Sequence, residues 1–399
     1  MTRDISFRPW RAGDLSGGTH LGTGAGDRGL AMTAAVGTRR HAATHDDRPP
    51  RSYEWSAWVS PVVQPGHQFS SLVPSWNART PQESWLEVEV RTSVDGLRWS
   101  RWYSLGCWAE SSEGILRTTR GGQGDHDALV SIDVLRARTG VLWTGYQLRL
   151  ALHRKPGSQA EPEVSLVGAA VSGPAPAHPG DGAGDGPFAS ARGVELAVPA
   201  YSQQIHRGEY LQWGGGGEAW CSPAATAMVL GTWGLGPSEE EYSWVEPSYP
   251  DRFVDHAAAH VFDHAYGGAG NWSFNVAYAA RYGTEAFVTQ LRSLAEAELF
   301  VAAGIPLVAS VSFAAAELEG AGYDTSGHLV AIVGFDQDGG VICNDPASHE
   351  LAGNDQVRVV YDRRQFDNAW RSGGDGFVYV IHPPDVALPD PALPGQPNW

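Results

Sequence analysis

Between residues 53 and 168 apolar and polar positions alternate in short runs. In 85–91, Trp85, Glu87, Glu89 and Arg91 alternate with Leu86, Val88 and Val90, the two-residue period of a strand with one face buried. The runs at 130–135, 146–153 and 163–168 repeat the pattern, and Asp95-Gly96 supplies a hairpin turn. Short strands parted by turn signals, without a helical period, predict a β-sandwich over 51–171. On that sandwich Glu87, Glu89 and Asp95 read as the solvated strand face and a turn. Residues 1–50 are rich in Gly, Arg and His and sparse in apolar positions, and read as a loose arm or one or two peripheral strands. From 172 to 193 the alternation gives way to Pro, Gly, Ala and Asp, the composition of an interdomain linker.

Past the linker the pattern changes. An apolar run with a polar end at 194–203 reads as a strand, and helices are predicted over 223–233, 237–244, 255–266, 271–282 and 291–303. Buried-strand runs follow at 306–312, 327–335, 341–345 and 376–381, with a hairpin turn at Gln337-Asp338-Gly339-Gly340. Helices first and antiparallel strands afterwards make 194–384 an α+β domain, with a Pro-rich tail over 385–399.

Composition narrows the picture. A chain of 399 residues, 42% hydrophobic, supports two domains with real cores. A formal charge of −17 disfavours nucleic acid and anionic membranes as partners. Sixteen tryptophans fit a β-rich portion with aromatic surfaces, and exposed ones would stack on sugar rings. Cys107, Cys221 and Cys343 cannot all pair with one another, so at least one thiol is free, and no CxxC is present. No apolar run reaches membrane-spanning length and no signal-peptide pattern opens the sequence, which leaves the compartment open.

The candidate chemistry gathers around Cys221. Gly214 to Gly217 lead into it, Pro223 suits a first helical turn, and 224–230 continues without a helix breaker. A thiol at a helix start faces unpaired N–H groups and the positive end of the dipole, which favour thiolate. His328 opens one strand of the predicted hairpin and Asp345 closes the other, so antiparallel pairing brings both to one rim. Nucleophile, base and orienting carboxylate are the roles this trio can fill. Gln203, or else Gln212, is positioned to donate to an oxyanion. His256, His260 and His264 share one helical face, but the outer two lie about 12 Å apart along the axis, too far for one ion. No Gly-Lys-Ser/Thr follows the glycine run, and no motif calls for a metal or cofactor.

Val198-Pro199-Ala200-Tyr201-Ser202-Gln203, Trp220-Cys221-Ser222-Pro223, the run from Gly327-His328 to Phe335, and Asn344-Asp345-Pro346 together resemble the C39-like cysteine peptidase family of the papain-like superfamily. The likeness covers roughly 195–382, and the whole chain is similar to actinobacterial proteins of that kind. It implies a papain-like fold, with Cys221 as nucleophile, His328 as general base, Asp345 as orienting acid and Gln203 as oxyanion donor. One departure stands out. In family members that mature double-glycine leaders the glutamine lies a few residues before the cysteine, whereas Gln203 precedes Cys221 by 18 positions, so the intervening loop must fold back. The expected activity is hydrolysis of a peptide or isopeptide bond in a peptide or protein substrate, or acyl transfer with the same thiol. The alternative is a noncatalytic protein that binds carbohydrate or cell-wall glycan through the Trp-rich sandwich.

Overall fold

The computed structural model describes residues 3–42, 45–175 and 190–399. Residues 176–189, the heart of the expected linker, lie outside the described residues. Backbone contacts divide the chain into two compact units: Ser6–Pro174 with Phe262–Gly267, and Met1–Ile5, Ala175–Val261 and Gly268–Trp399.

The first unit is all β. One antiparallel sheet runs in the order Ala128–Ser131, Val134–Ala137, Ser71–Arg79, Glu163–Ser172, Gly29–Met32, Thr23–Gly26, and Ile5–Arg11 also pairs with Glu163–Ser172. The other runs Thr19–Leu21, Arg51–Val59, Gly145–Arg154, Trp85–Ser93, Tyr103–Trp108, with Gly37–His41 on Arg51–Val59. Trp10 of the first sheet meets Trp58 of the second edge to face, 5.9 Å between centroids, which marks the shared core.

Three expectations fail here for identifiable reasons. Residues 5–41 carry five strands rather than a loose arm, because Ile5, Phe7, Trp10, Leu15, Leu30 and Met32 are buried, although Leu21 and Val36 stay exposed. The run 130–135 is not one strand but a tight hairpin, Ser131 opposite Val134, with Ile132 in the left-handed region at φ 57°. Glu87 and Glu89 are not solvated. Both are buried, Glu87 accepting from Ser104 and Arg120, and Glu89 gripped by Arg149 through two 2.5 Å bonds. A buried carboxylate persists only with such partners. Asp95 does cap the turn it was expected to form, accepting from the N–H groups of Leu97 and Arg98.

The second unit is α+β. Its antiparallel sheet runs Glu285–Gln290, Phe377–His382, Leu307–Phe313, Thr325–Phe335, Val341–Asn344, Arg358–Tyr361, with Val194–Glu195 paired to Thr325–Phe335. Helix α1 (Cys221–Thr232) packs on this sheet and against α2 (Arg252–Val261) and α3 (Trp272–Ala280); α4 (Leu294–Ala302) also packs on the sheet. Every residue of α1 from Ser222 to Leu230 is buried, so it has no polar face and forms the centre of the unit. Met228 packs with Ala331, Val333, Ile342 and Val357. Only Val194–Glu195 of the expected 194–203 strand pairs, 237–244 is turns rather than helix, and two strands without a recognisable pattern, Glu285–Gln290 and Arg358–Tyr361, complete the sheet. The Pro-rich tail is anchored: Asn398 is buried and donates to the Gln290 carbonyl and Glu296, while Trp399 packs on Phe300.

Candidate active site

Cys221 is the first residue of α1, and the chain before it explains why the helix begins there. Gly214, Gly215 and Gly216 all have positive φ, a run of left-handed backbone that side chains rarely adopt. Gly217 then passes so close beneath the preceding loop that a Cβ there would lie 2.4 Å from the Gln203 carbonyl oxygen. Trp220 occupies the N-cap position, anchored by its indole N–H donating to the Trp213 carbonyl at 2.7 Å, and Pro223 sits in the first turn.

His328 lies near the start of Thr325–Phe335, opposite Val311, and Asp345 directly follows Val341–Asn344. The pairing of those two strands brings the side chains together: His328 Nε2 is 2.8 Å from Asp345 Oδ1. The other ring nitrogen is left for Cys221, whose thiol lies close enough to the His328 ring for each to shift the other's titration. The Asp345 carboxylate is held from four sides. Besides His328, it accepts from the Ala347 N–H at 2.9 Å, from Tyr323 Oη at 2.7 Å and from Tyr361 Oη at 2.6 Å.

Burial and charge compete at each group. Burial pushes the Cys221 thiol up, but the adjacent His328 and the N–H groups of Leu329 and Ser222 bring it below the ordinary thiol range. Burial disfavours a charged His328, yet the Asp345 and Cys221 charges and hydrogen bonds raise it to about 10. Burial would raise Asp345, and His328 and the two tyrosines hold it below the usual carboxylate range. Both shifts run in the direction of a thiolate–imidazolium pair. Cys107 and Cys343 are both buried, and burial pushes their thiols up instead.

Gln203 opens a short 3-10 turn, Gln203–His206, and its backbone N–H donates to the Pro346 carbonyl at 3.0 Å, next to Asp345. Its side-chain Nε2 donates to the Glu218 carbonyl at 2.6 Å. A carbonyl only accepts, so the nitrogen must face it, and the second N–H remains for another acceptor. The 18-residue separation is thus closed by a loop that returns to its origin. Gln212 sits exposed in the turn within that loop. Tyr323 and Tyr361 were not anticipated: neither belongs to a recognisable motif, and they reach Asp345 only in the folded chain, Tyr323 from the bend before Thr325–Phe335 and Tyr361 from the end of Arg358–Tyr361.

Beside the strand that carries His328 lies an open cleft of about 860 Å³, lined by Ser312, Glu317, Asp324, Ser326 and Asn368 among others. His256, His260 and His264 do not share one helical face, since α2 ends at Val261, short of His264. His256 and His260 stack on each other at 3.9 Å, and His256 bonds to Tyr278.

A helix-borne cysteine set against an antiparallel sheet that carries histidine and aspartate is the papain-like arrangement. The chain belongs to the C39-like peptidase family, of actinobacterial type: the Peptidase_C39 like family matches residues 195–376, and the Peptidase C39 N-terminal domain matches residues 4–172. None of the curated proteins matches the chain. Among the described residues no helix is long and apolar enough to cross a membrane.

Proposed function

We propose that the chain is a cysteine hydrolase that cleaves peptide or isopeptide bonds through a thioester acyl-enzyme. The observation that carries the reading is the His328–Asp345 hydrogen bond beside Cys221, with the thiol depressed and the imidazole raised. Thiolate Sγ attacks the substrate carbonyl carbon, and the carbonyl electron pair moves onto oxygen. The Cys221 amide, one of the helix-start N–H groups without an intrahelical acceptor, and the second N–H of Gln203 are the donors suited to that oxyanion. His328 then gives its proton to the departing amine as the tetrahedral adduct collapses to the thioester. Water, deprotonated by His328, hydrolyses the thioester and frees the acid. Asp345 keeps the ring oriented and its charge compensated, and the tyrosines keep Asp345 in place.

No observation favours the glycan-binding alternative. Trp10, Trp58, Trp76, Trp85, Trp108 and Trp143 are buried in the first unit. The half-buried Trp55, Trp99 and Trp102 carry guanidinium groups: Arg39 lies 3.4 Å over Trp55, Arg91 over both Trp99 and Trp102, and Arg149 over Trp102.

The deciding experiment incubates the full chain and its Cys221→Ala variant with a mixed peptide library and reads new N-termini by mass spectrometry. Cleavage by the native chain that disappears in the variant is expected. Cleavage that survives the substitution, or none from the native chain under reducing conditions, overturns the proposal.

A further inference from the structure

A second polar constellation lies outside the cysteine site. His206 closes the 3-10 turn that begins at Gln203, Glu209 follows three residues on, and Asp255 lies on α2. All three are buried, His206 and Asp255 completely. His206 Nδ1 is 2.7 Å from Glu209 Oε2 and 3.3 Å from Asp255 Oδ2, and one donor atom from each residue falls within 4.8 Å of the others. The Trp220 ring, next to the nucleophile in sequence, covers the imidazole at 5.8 Å between centroids.

Two features of this cluster are out of balance. The first is charge. Two carboxylates meet one imidazole, and no lysine or arginine among the described residues pairs with either. With both carboxylates ionised the cluster would keep a net negative charge even when His206 is protonated, a costly arrangement in the interior without a counter-cation. The second is hydrogen bonding. Neither Asp255 oxygen has a hydrogen bond of acceptable geometry, and neither does His206 Nε2. Buried polar atoms of native proteins seldom go unpaired, and a carboxylate whose one protein neighbour, His206 Nδ1, is too poorly aligned to hydrogen-bond has both oxygens available to a further ligand.

We propose that His206, Glu209 and Asp255 hold a divalent first-row cation of the Zn²⁺ type. One imidazole nitrogen with two carboxylates is a borderline donor set that suits Zn²⁺ better than Mg²⁺ or Ca²⁺, which prefer oxygen alone. Tetrahedral ligands about 2.0–2.2 Å from zinc lie about 3.4 Å from one another. The His206–Asp255 separation of 3.3 Å already fits. The shorter His206–Glu209 contact is a hydrogen bond, and the ion replaces the proton in it, releasing that proton to solvent. The site joins two remote stretches of chain, the loop 203–216 and helix α2. Its effect is to fix the turn whose first residue is Gln203.

The test reads metal and stability rather than activity, so its outcome is independent of the hydrolase reading. It uses the full chain in a Cys221→Ala background, where the one partly exposed thiol no longer competes for the ion and the remaining two, Cys107 and Cys343, are buried. After chelation and dialysis, Zn²⁺ or Mg²⁺ is added, and metal content and melting temperature are measured. The expected result is about one Zn²⁺ retained per chain, with a Tm rise of about 5–10 °C at Zn²⁺ a hundredfold above its Kd and little response to Mg²⁺. Asp255→Asn, and separately Glu209→Gln, abolish uptake and the Tm response. If one of these does not fold, the other, with zinc titration of the background chain, decides the matter. Failure of the stripped chain to take up Zn²⁺, or equal uptake by both variants, overturns the site. So does a Tm that chelation leaves unchanged.

Discussion

The side-chain amide of Gln203 donates a 2.6 Å hydrogen bond to the backbone carbonyl of Glu218, three residues before Cys221. That bond closes an 18-residue detour and commits one N–H of Gln203 to holding the loop, leaving the other for chemistry. Gln203→Ala is therefore expected to lower kcat by about 10²–10³-fold with a smaller change in KM, the signature of a lost oxyanion donor. Gln212→Ala, in the exposed turn, should leave both parameters as they are. Steady-state kinetics on one cleaved peptide compare the two, and the reverse ranking would move the oxyanion role to Gln212.

Gly217 is the position where the same loop tolerates nothing larger. Its missing Cβ leaves room for the Gln203 carbonyl oxygen at 2.4 Å and for the His206 carbonyl carbon at 2.5 Å. Both contacts are to backbone, which has little room to yield. Gly217→Ala should push the turn at 203–206 away from Glu218 and lower both stability and kcat. The parallel control, Gly208→Ala, has open space at its Cβ but a φ of 84°, so it reports backbone strain alone. A Gly217→Ala chain no less stable than this control would show that the close approach is unimportant.

Much of this site was legible in the sequence because its parts follow local rules. A glycine run, a cysteine, and a proline two places on announce a helix start, and two apolar strands around Gln337-Asp338-Gly339-Gly340 announce a hairpin that brings His328 and Asp345 to one rim. What stayed hidden depends on tertiary register. Tyr361 reaches Asp345 by its side chain from the end of Arg358–Tyr361, although the register sets it opposite Val341, and nothing in Arg-Val-Val-Tyr marks it as part of a site. Glu87 and Glu89 misled for a related reason. Their alternation with Leu86, Val88 and Val90 is real, but both faces of that strand are covered, and arginines from elsewhere in the fold make the acidic face habitable.

Tyr361 and Tyr323 both donate to the oxygen of Asp345 that His328 does not use. A hydrogen bond to a buried charge contributes about 1.5–3 kcal/mol, so Tyr361→Phe should destabilise the second unit by about that much in urea unfolding. Because Asp345 then loses a donor that stabilises its charged form, its carboxyl rises toward the ordinary range. Stability that Asp345 contributes is present above its unfolded value and lost as pH falls through its folded one. The variant should thus begin to lose stability at a higher pH than the native chain. Identical acid-unfolding midpoints would show that Tyr361 does not hold the carboxylate.

The three cysteines offer a test that needs no substrate. Cys221 is partly exposed with a depressed thiol beside His328, whereas Cys107 and Cys343 are buried with raised thiols. Iodoacetamide at pH 6 should modify Cys221 first, and peptide mapping should find the other two labelled only after unfolding. Equal labelling of the three in the folded chain contradicts an activated Cys221.

The pH profile follows from the same pair, with the sign fixed by which form acts. On the proposed mechanism the reactive state needs Cys221 deprotonated and His328 protonated. Its acidic limb is set by the lowered thiol, and its basic limb by an imidazole raised to about 10. The raised His328 also stabilises the folded chain, fully below the ordinary histidine value of about 6.5, and this contribution is lost as pH rises through about 10. Asp345→Asn removes the charge that does most to raise His328. The basic limb of kcat/KM should move down toward the ordinary histidine range, and the acidic limb up as the imidazolium beside Cys221 is lost. The bell narrows and its maximum falls by about 10²-fold or more. The alkylation rate of Cys221 against pH should shift in step, which separates an effect on the ion pair from one on substrate binding. A basic limb that stays near its native position in Asp345→Asn would leave the carboxylate no part in charging His328.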